Sequence, residues 1–266
     1  MEYNNVRFRR LGWSGVEIEY GDQTLLIDYI TDTSQLSVLR SEEEVFPIAS
    51  NPGRASIALL THLHTDHADP LALAVALGDS GRVLRPMAAT GSQQDLALTM
   101  HAESAFKKSN LSVEMLVEWE ERIVGPFKIS SAPAVDGFGD PQLSWVVECG
   151  GRRIIHAGDT LFHGFWWRIA NKYGPFDAAF LPINAPIVDF PPLRPMSPIE
   201  AVMTPEQAAV AAHILGAKSV IPIHFGSMHK PPMYSETPNS IERLTNKLED
   251  YGILNLVQQP GIWFEL

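Results

Sequence analysis

Short apolar-rich runs at residues 6–11, 16–20 and 24–28 are separated by glycine-containing turns, Gly12–Gly15 and Gly21-Asp22. This pattern predicts three strands, the third ending on Asp28. Residues 31–54 are polar and turn-rich, and the Glu42-Glu43-Glu44 run inside them reads as a solvated helix turn or loop, not a metal site. The unbroken apolar run 57–60 predicts a buried strand. Residues 70–78 predict a helix that Gly78 ends, with Asp69 near its start either capping it or supporting a site. A second helix is expected over 91–101, with His101 on its surface. Strands follow at 113–119, 122–124, 127–131, 143–149 and 153–156, then short buried strands at 176–181 and 219–223. The helix 204–215 lies between those two, and a helix over 240–251 and a strand over 254–258 close the chain. Strands, a helical interlude and a closing α/β unit fit two sheets packed face to face with helices outside.

Composition narrows the class. A chain of 266 residues, 45% hydrophobic and 19% charged, builds one large α/β domain or two small ones. The formal net charge of -11 repels phosphate backbones, which argues against a nucleic-acid partner and for a small-molecule substrate. Cys149 is the single cysteine, so no internal disulfide forms, which suits a reducing compartment. At the end of the strand 143–149 it reads as a small buried hydrophobe. The first ten residues carry arginines but no apolar run, so they do not resemble a secretory signal. No stretch approaches the roughly 20 apolar residues of a membrane span. Together these predict a cytoplasmic protein. A strand face could still hide a homo-oligomer interface.

The chemistry concentrates in Thr61-His62-Leu63-His64-Thr65-Asp66-His67-Ala68-Asp69, directly after the apolar strand. Imidazole and carboxylate groups bind zinc and other divalent first-row metals. His62 and His64 share a face if the strand extends through them, and Asp66 and His67 can swing to a second centre. Polar groups so close to a buried strand need partners.

His62-x-His64-x-Asp66-His67 resembles the His-x-His-x-Asp-His signature of the metallo-β-lactamase superfamily. The resemblance implies an α/β fold, a four-layer αββα sandwich, as one hydrolase domain over residues 1–266. It implies one metal on His62 and His64 and a second on Asp66 and His67, with Asp28 supporting the loops. Asp159, exposed where the strand before Gly158-Asp159 ends, matches the superfamily's bridging Asp. His224, ending the run Val220-Ile221-Pro222-Ile223, matches the last ligand of the second metal. The family often places a further His between these motifs, and here Asp136 occupies that place. As a direct ligand Asp136 makes the first site harder and more tolerant of manganese; otherwise one metal dominates. With Gly158-Asp159-Thr160-x-x-His163 and Met203-Thr204 ahead of the last His, this pattern is similar to the branch containing ascorbate-6-phosphate lactonase. Metal-dependent phosphodiesterases are more distant relatives.

Two divalent ions, zinc or manganese with iron as an alternative, would share a water whose pKa falls from about 15.7 towards roughly 7. The hydroxide then attacks a carbonyl or phosphoryl centre, with Asp66 accepting the proton. His163 and His229 each follow a ligand closely and are candidates to assist the leaving group or hold an anion. His156 reads as structural and His213 as packing. Phe162, Phe165, Trp166 and Trp167 form either core or a substrate wall, and residues 182–198, with six prolines, form a stiff loop at the rim. Arg194 and Lys230 read as surface residues, with phosphate neutralisation as the alternative. No Gly-x-Ser-x-Gly elbow occurs, which weakens a serine mechanism. The leading expectation is a metal-dependent hydrolase of a lactone or other ester-type substrate, phosphorylated substrates included. The alternative is a phosphodiesterase, and a third class is a non-catalytic metal or ligand binder. A redox di-iron role is disfavoured by His at position 64.

Overall fold

A computed structural model describes residues 5–40, 45–78 and 81–266; the Glu42-Glu43-Glu44 run lies outside the described residues. The first part of the chain forms β1 (Arg7–Arg10), β2 (Val16–Tyr20), β3 (Gln23–Ile27), β4 (Ile57–Leu59), α1 (Pro70–Leu77), β5 (Arg82–Pro86), α2 (Met100–Lys108) and β6 (Ser112–Leu116). Then follow β7 (Glu121–Val124), β8 (Phe127–Pro133), β9 (Leu143–Cys149), β10 (Arg152–His156), α3 (Trp166–Tyr173) and β11 (Ala178–Pro182). The remainder forms β12 (Ile187–Val188), α4 (Pro205–Leu215), β13 (Ser219–Ile223), β14 (Tyr234–Ser235), α5 (Ser240–Glu249), β15 (Leu254–Asn255) and β16 (Trp263–Glu265). One seven-stranded sheet has the order β16-β1-β2-β3-β4-β5-β6 and a second has β15-β13-β11-β10-β9-β8-β7, while β12 and β14 pair separately.

Period-two alternation builds the layers. Leu25, Ile27, Ile57 and Leu59 point between the sheets, where they meet Trp145, Val147, Ile154, Phe180, Ile221 and Ile223 of the second sheet. Their neighbours Leu26, Ala58 and Leu60 point outward and pack under Leu73 and Ala76 of α1 and Phe106 of α2. On the other side Val146, Ile155, Ala179 and Val220 face out under Trp166 of α3, Ala208 and Ala212 of α4, and Leu244 of α5. The result is the four-layer αββα sandwich. Strands β3 to β6 run parallel, as do β10, β11, β13 and β15. The carboxyl ends of β4, β10 and β13 deliver His62, Asp159 and His224, and such ends are where open α/β sheets place their ligands.

Two helices start as their sequences dictate. Asp69 caps α1 by accepting the Ala72 N–H at 2.9 Å, with Pro70 in the first turn. Its other oxygen accepts the N–H groups of Thr31 and Asp32, each at 3.0 Å, so it also ties down the loop after β3. Thr204 caps α4 in a reciprocal box with Gln207. The helix expected over 91–101 is a correction. Gly91 has φ +141°, and the Asp95 carboxylate accepts both the N–H and the hydroxyl of Ser92 at 2.7 Å. Those local bonds form turns in place of the helix, which begins only at Met100. Strands β5 and β16 and helix α3 were not expected from the pattern. Among the described residues no helix is long and apolar enough to cross a membrane.

Candidate metal centre

The first cluster hangs on a buried carboxylate. Asp28 follows β3 with φ +47°, a left-handed conformation that turns its side chain towards the end of β4. Its Oδ1 accepts the Thr61 N–H at 2.8 Å. Its Oδ2 accepts the Thr61 hydroxyl at 2.7 Å and faces His67 Nδ1 at 2.8 Å. An ionised carboxylate only accepts, so two protonation states follow. In its neutral, metal-binding form His67 would carry its proton on Nδ1 and leave the Nε2 lone pair for a cation. Because the Thr61 hydroxyl proton is committed to Asp28, Thr61 Oγ1 accepts from His62 Nδ1, 3.0 Å away, which frees Nε2 of His62 as well. The second sheet is bolted to this segment: Leu143 N–H and Trp145 Nε1–H donate to the carbonyls of Thr61 and Leu60, each at 2.9 Å.

Asp159 reaches the same place by a different constraint. Gly158 before it has φ +66°, and a Cβ there would lie 2.7 Å from the Thr61 Cβ. Only glycine lets β10 end so close to the β4 segment. His224, at φ +54° after β13, donates its N–H to the Trp13 carbonyl at 3.2 Å and lies against the Trp13 ring, centroids 4.1 Å apart and planes tilted by 46°. Its Nδ1 lies 2.8 Å from Asn184 Oδ1. Trp13 also donates its Nε1–H to Asp66 Oδ2 at 3.0 Å. On the other flank, His64 Nε2 lies 2.9 Å from Asp140 Oδ2, and Asp136 Oδ2 accepts the N–H groups of Phe138 and Asp140 at 2.9 and 3.1 Å.

Two donor sets result, Asp66–His67–Asp159–His224 and His62–His64–Asp136, each with its donor atoms within 4.8 Å of one another. All seven ligands expected from the sequence are therefore brought together. In the first set His67 Nε2 lies 3.1 Å from Asp159 Oδ1, and His224 Nε2 lies 2.6 Å from Asp159 Oδ2. Nε2 of His62 is buried without a hydrogen-bond partner, while Nε2 of His67 and His224 face the Asp159 carboxylate. Imidazole and carboxylate donors crowded in an interior are what a cation satisfies, so the donor sets fit divalent metal.

Without metal, protons compete for the same donors: burial lowers His64 and His224, yet the carboxylates facing them raise both above the ordinary histidine value. Burial pushes the Asp159 and Asp66 carboxyls up, but His224 and His67 outweigh it and hold both well below the usual carboxylate range. Burial lowers His67, yet Asp159, Asp66 and Asp28 carry it well above its ordinary value. Burial, with the neighbouring His67 and His64, drives His62 well below 6.5, which keeps it in the neutral form that binds metal.

The other sequence candidates lie elsewhere. His163 is buried against Trp166, with ring centroids 4.3 Å apart, and its Nδ1 accepts the Phe165 N–H at 3.2 Å. Burial lowers its pKa to about 4. His229 is exposed and lines a neighbouring groove with Glu236. His156 lies 2.8 Å from the Ser14 carbonyl through Nε2 and accepts the Gly158 N–H, a structural role. Trp166 belongs to the layer under α3 and α4, and Trp167 and Phe165 face solvent. The aromatic cluster is thus helix packing and walls no substrate site. Arg194 pairs with Asp189 at 2.7 Å.

A cavity of about 270 Å³ opens over both donor sets, with His64, Asp66, Asp159 and His224 on its floor. Leu36, Leu39, Phe138, Phe190, Met228 and Tyr234 form its walls, and Pro186, Pro191 and Pro192 contribute the proline-rich rim. Asp140, Asn184, Trp13 and Tyr234 were not singled out by the sequence. Only Asp140 had a local signal, as a second carboxylate in Asp136-Gly137-Phe138-Gly139-Asp140.

Two sheets between helical layers, with paired His/Asp clusters at the strand ends, define a class of αββα proteins built to hold metal under an apolar cavity. A family model described as the Beta-lactamase superfamily domain matches residues 13–225, and the chain belongs to that superfamily. It is 27% identical over 268 residues to a UPF0173 metal-dependent hydrolase of Thermococcus kodakarensis, covering 98% of this chain and 100% of the relative. Igni18, a metallo hydrolase from Ignicoccus hospitalis, shares the fold at TM-score 0.65 and 19% identity, over 98% of this chain and 99% of that one. CmlA, a diiron β-hydroxylase from Streptomyces venezuelae, matches at TM-score 0.73 and 17% identity, over 99% of this chain and 54% of its own.

Proposed function

We propose that this chain is a metal-dependent hydrolase of an uncharged lactone or other ester. The observation that carries the reading is the pair of His/Asp donor sets converging under an apolar cavity. His62, His64 and Asp136 would hold one divalent ion, and Asp66, His67, Asp159 and His224 the other. Asp159 stands in the second set, with Oδ1 beside His67 and Oδ2 beside His224; the superfamily resemblance is what would make it the shared ligand. Four imidazoles and three carboxylates suit zinc or manganese. When bound, the ions supply an acidified water and polarise the oxygen of the bond under attack. Asp66, fixed by Trp13 and kept ionised, would hold the second ion and could accept a hydrogen bond from that water. The cavity walls position the acyl portion and exclude bulk water.

Charge favours the ester over the phosphodiester. Among the described residues that line the cavity there is no lysine or arginine. The carboxylates of Asp66, Asp136 and Asp159 would cancel three of the four positive charges of two divalent ions, leaving little attraction for an anionic group. Neither His163 nor His229 lines the cavity, so neither is given a step.

The test combines elemental analysis of protein purified without added metal with hydrolysis of ester, lactone and phosphodiester panels. Asp159→Ala should lose metal and hydrolysis together. Full activity in that variant, or metal without hydrolysis of any panel in the parent, would refute the proposal.

A further inference from the structure

Tyr234 is buried, 5% exposed, yet it lines the cavity over the donor sets. The short strand β14 places it by pairing Tyr234 with Val188 of β12. Its hydroxyl oxygen lies 2.7 Å from Asn184 Nδ2, and Asn184 Oδ1 lies 2.8 Å from His224 Nδ1. The direction of each proton in this chain follows from His224. If Nε2 of His224 is to offer a lone pair to metal, Nδ1 must carry the proton and donate it to Asn184 Oδ1. The amide orientation is then fixed, so Nδ2 donates to the Tyr234 oxygen. The phenol is an acceptor towards Asn184, and its own proton is left to point elsewhere.

We propose that Tyr234 is a substrate-touching residue whose O–H donates a hydrogen bond to the substrate oxygen on which negative charge develops. This rests on the hydrolase reading for the identity of that oxygen. The geometry gives the phenol both requirements of such a donor: a fixed position and a proton not used by the protein. The phenol takes part as a neutral donor, and burial disfavours its ionised form. A neutral donor aimed at developing charge in a dry site strengthens as the charge grows, which is the requirement for lowering a barrier.

The experiment uses zinc-loaded protein and δ-valerolactam, an uncharged cyclic carbonyl that resists hydrolysis, read by the infrared carbonyl stretch of the bound probe. The parent should shift that stretch to lower frequency, and Tyr234→Phe, which removes only the hydroxyl, should abolish the part due to this bond while keeping its zinc. Turnover of δ-valerolactone should fall about 100-fold in kcat, with KM little changed. An identical carbonyl shift in both proteins overturns the proposal. So does failure of the parent to bind the lactam, or loss of zinc from Tyr234→Phe, which would assign the hydroxyl to holding Asn184. A parent that shifts the lactam carbonyl but hydrolyses no lactone would refute the hydrolase reading and leave the Tyr234 contact intact.

Discussion

Replacing Asp28 by asparagine exchanges one oxygen for an amide at the point where β3, the end of β4 and His67 meet. The carboxylate accepts from Thr61 N at 2.8 Å, Thr61 Oγ1 at 2.7 Å and His67 Nδ1 at 2.8 Å. An asparagine oxygen still serves the Thr61 N–H, but its NH2 group then faces two donors. The Thr61 hydroxyl must turn away, and His67 must move its proton to Nε2 to accept at Nδ1. That puts an N–H where the metal-binding lone pair should be. Hydrogen bonds to a charged group are worth about 1.5–3 kcal/mol each, so losing one or two should cost metal-free protein about 2–5 kcal/mol. Partners that orient metal-binding histidines contribute roughly 10–100-fold in metal affinity. The expected outcome for Asp28→Asn is therefore a lower urea midpoint without metal and a ten- to hundredfold weaker zinc affinity by chelator competition. Unchanged affinity would refute the reasoning, because it would mean His67 does not take its tautomer from Asp28.

Asp136→Ala should lower bound metal from two ions per chain to one by elemental analysis, since His62 and His64 lose the carboxylate of their set; two ions retained would remove Asp136 from the ligands. His163 should tilt stability with pH. Its pKa falls from 6.5 to about 4 on burial, so between those values the unfolded chain binds a proton that the folded chain refuses. Stability should drop as pH falls through this window, by at most about 3 kcal/mol. His163→Gln should lose that part of the slope in urea unfolding at successive pH values, whereas an identical slope in both proteins would show that His163 is not buried neutral.

The layers were legible from apolar periodicity, and the candidate ligands from motif resemblance. His62, Asp159 and His224 each stand just beyond an apolar run, which placed a polar group at a strand end, and the superfamily pattern gave those groups a role. What local pattern missed is non-local. Strand β5 carries Arg82 and Arg85, which disguise it; Arg85 is nonetheless buried because Glu103 of α2 accepts from its guanidinium at 2.6 Å. Helix α3 opens with two tryptophans and reads as a cluster, yet Trp166 is buried and Trp167 faces solvent. Trp13, Asn184 and Tyr234 matter only because three distant loops converge on His224. No spacing within the chain encodes that convergence.

The place of β1 between β2 and β16 has a consequence for synthesis. Its outer neighbour is β16, with Arg7 opposite Glu265 and Phe8 opposite Phe264. At roughly 5–20 residues per second, the ribosome needs on the order of 10–50 s to make the chain between them. Throughout that interval β1 presents an open hydrogen-bonding edge, the kind that recruits strands from other nascent chains. Arg7 and Arg9 pair with Glu19 and Glu17 of β2, so the edge that waits for β16 carries Phe8 between charged side chains, which discourages pairing with a foreign apolar strand.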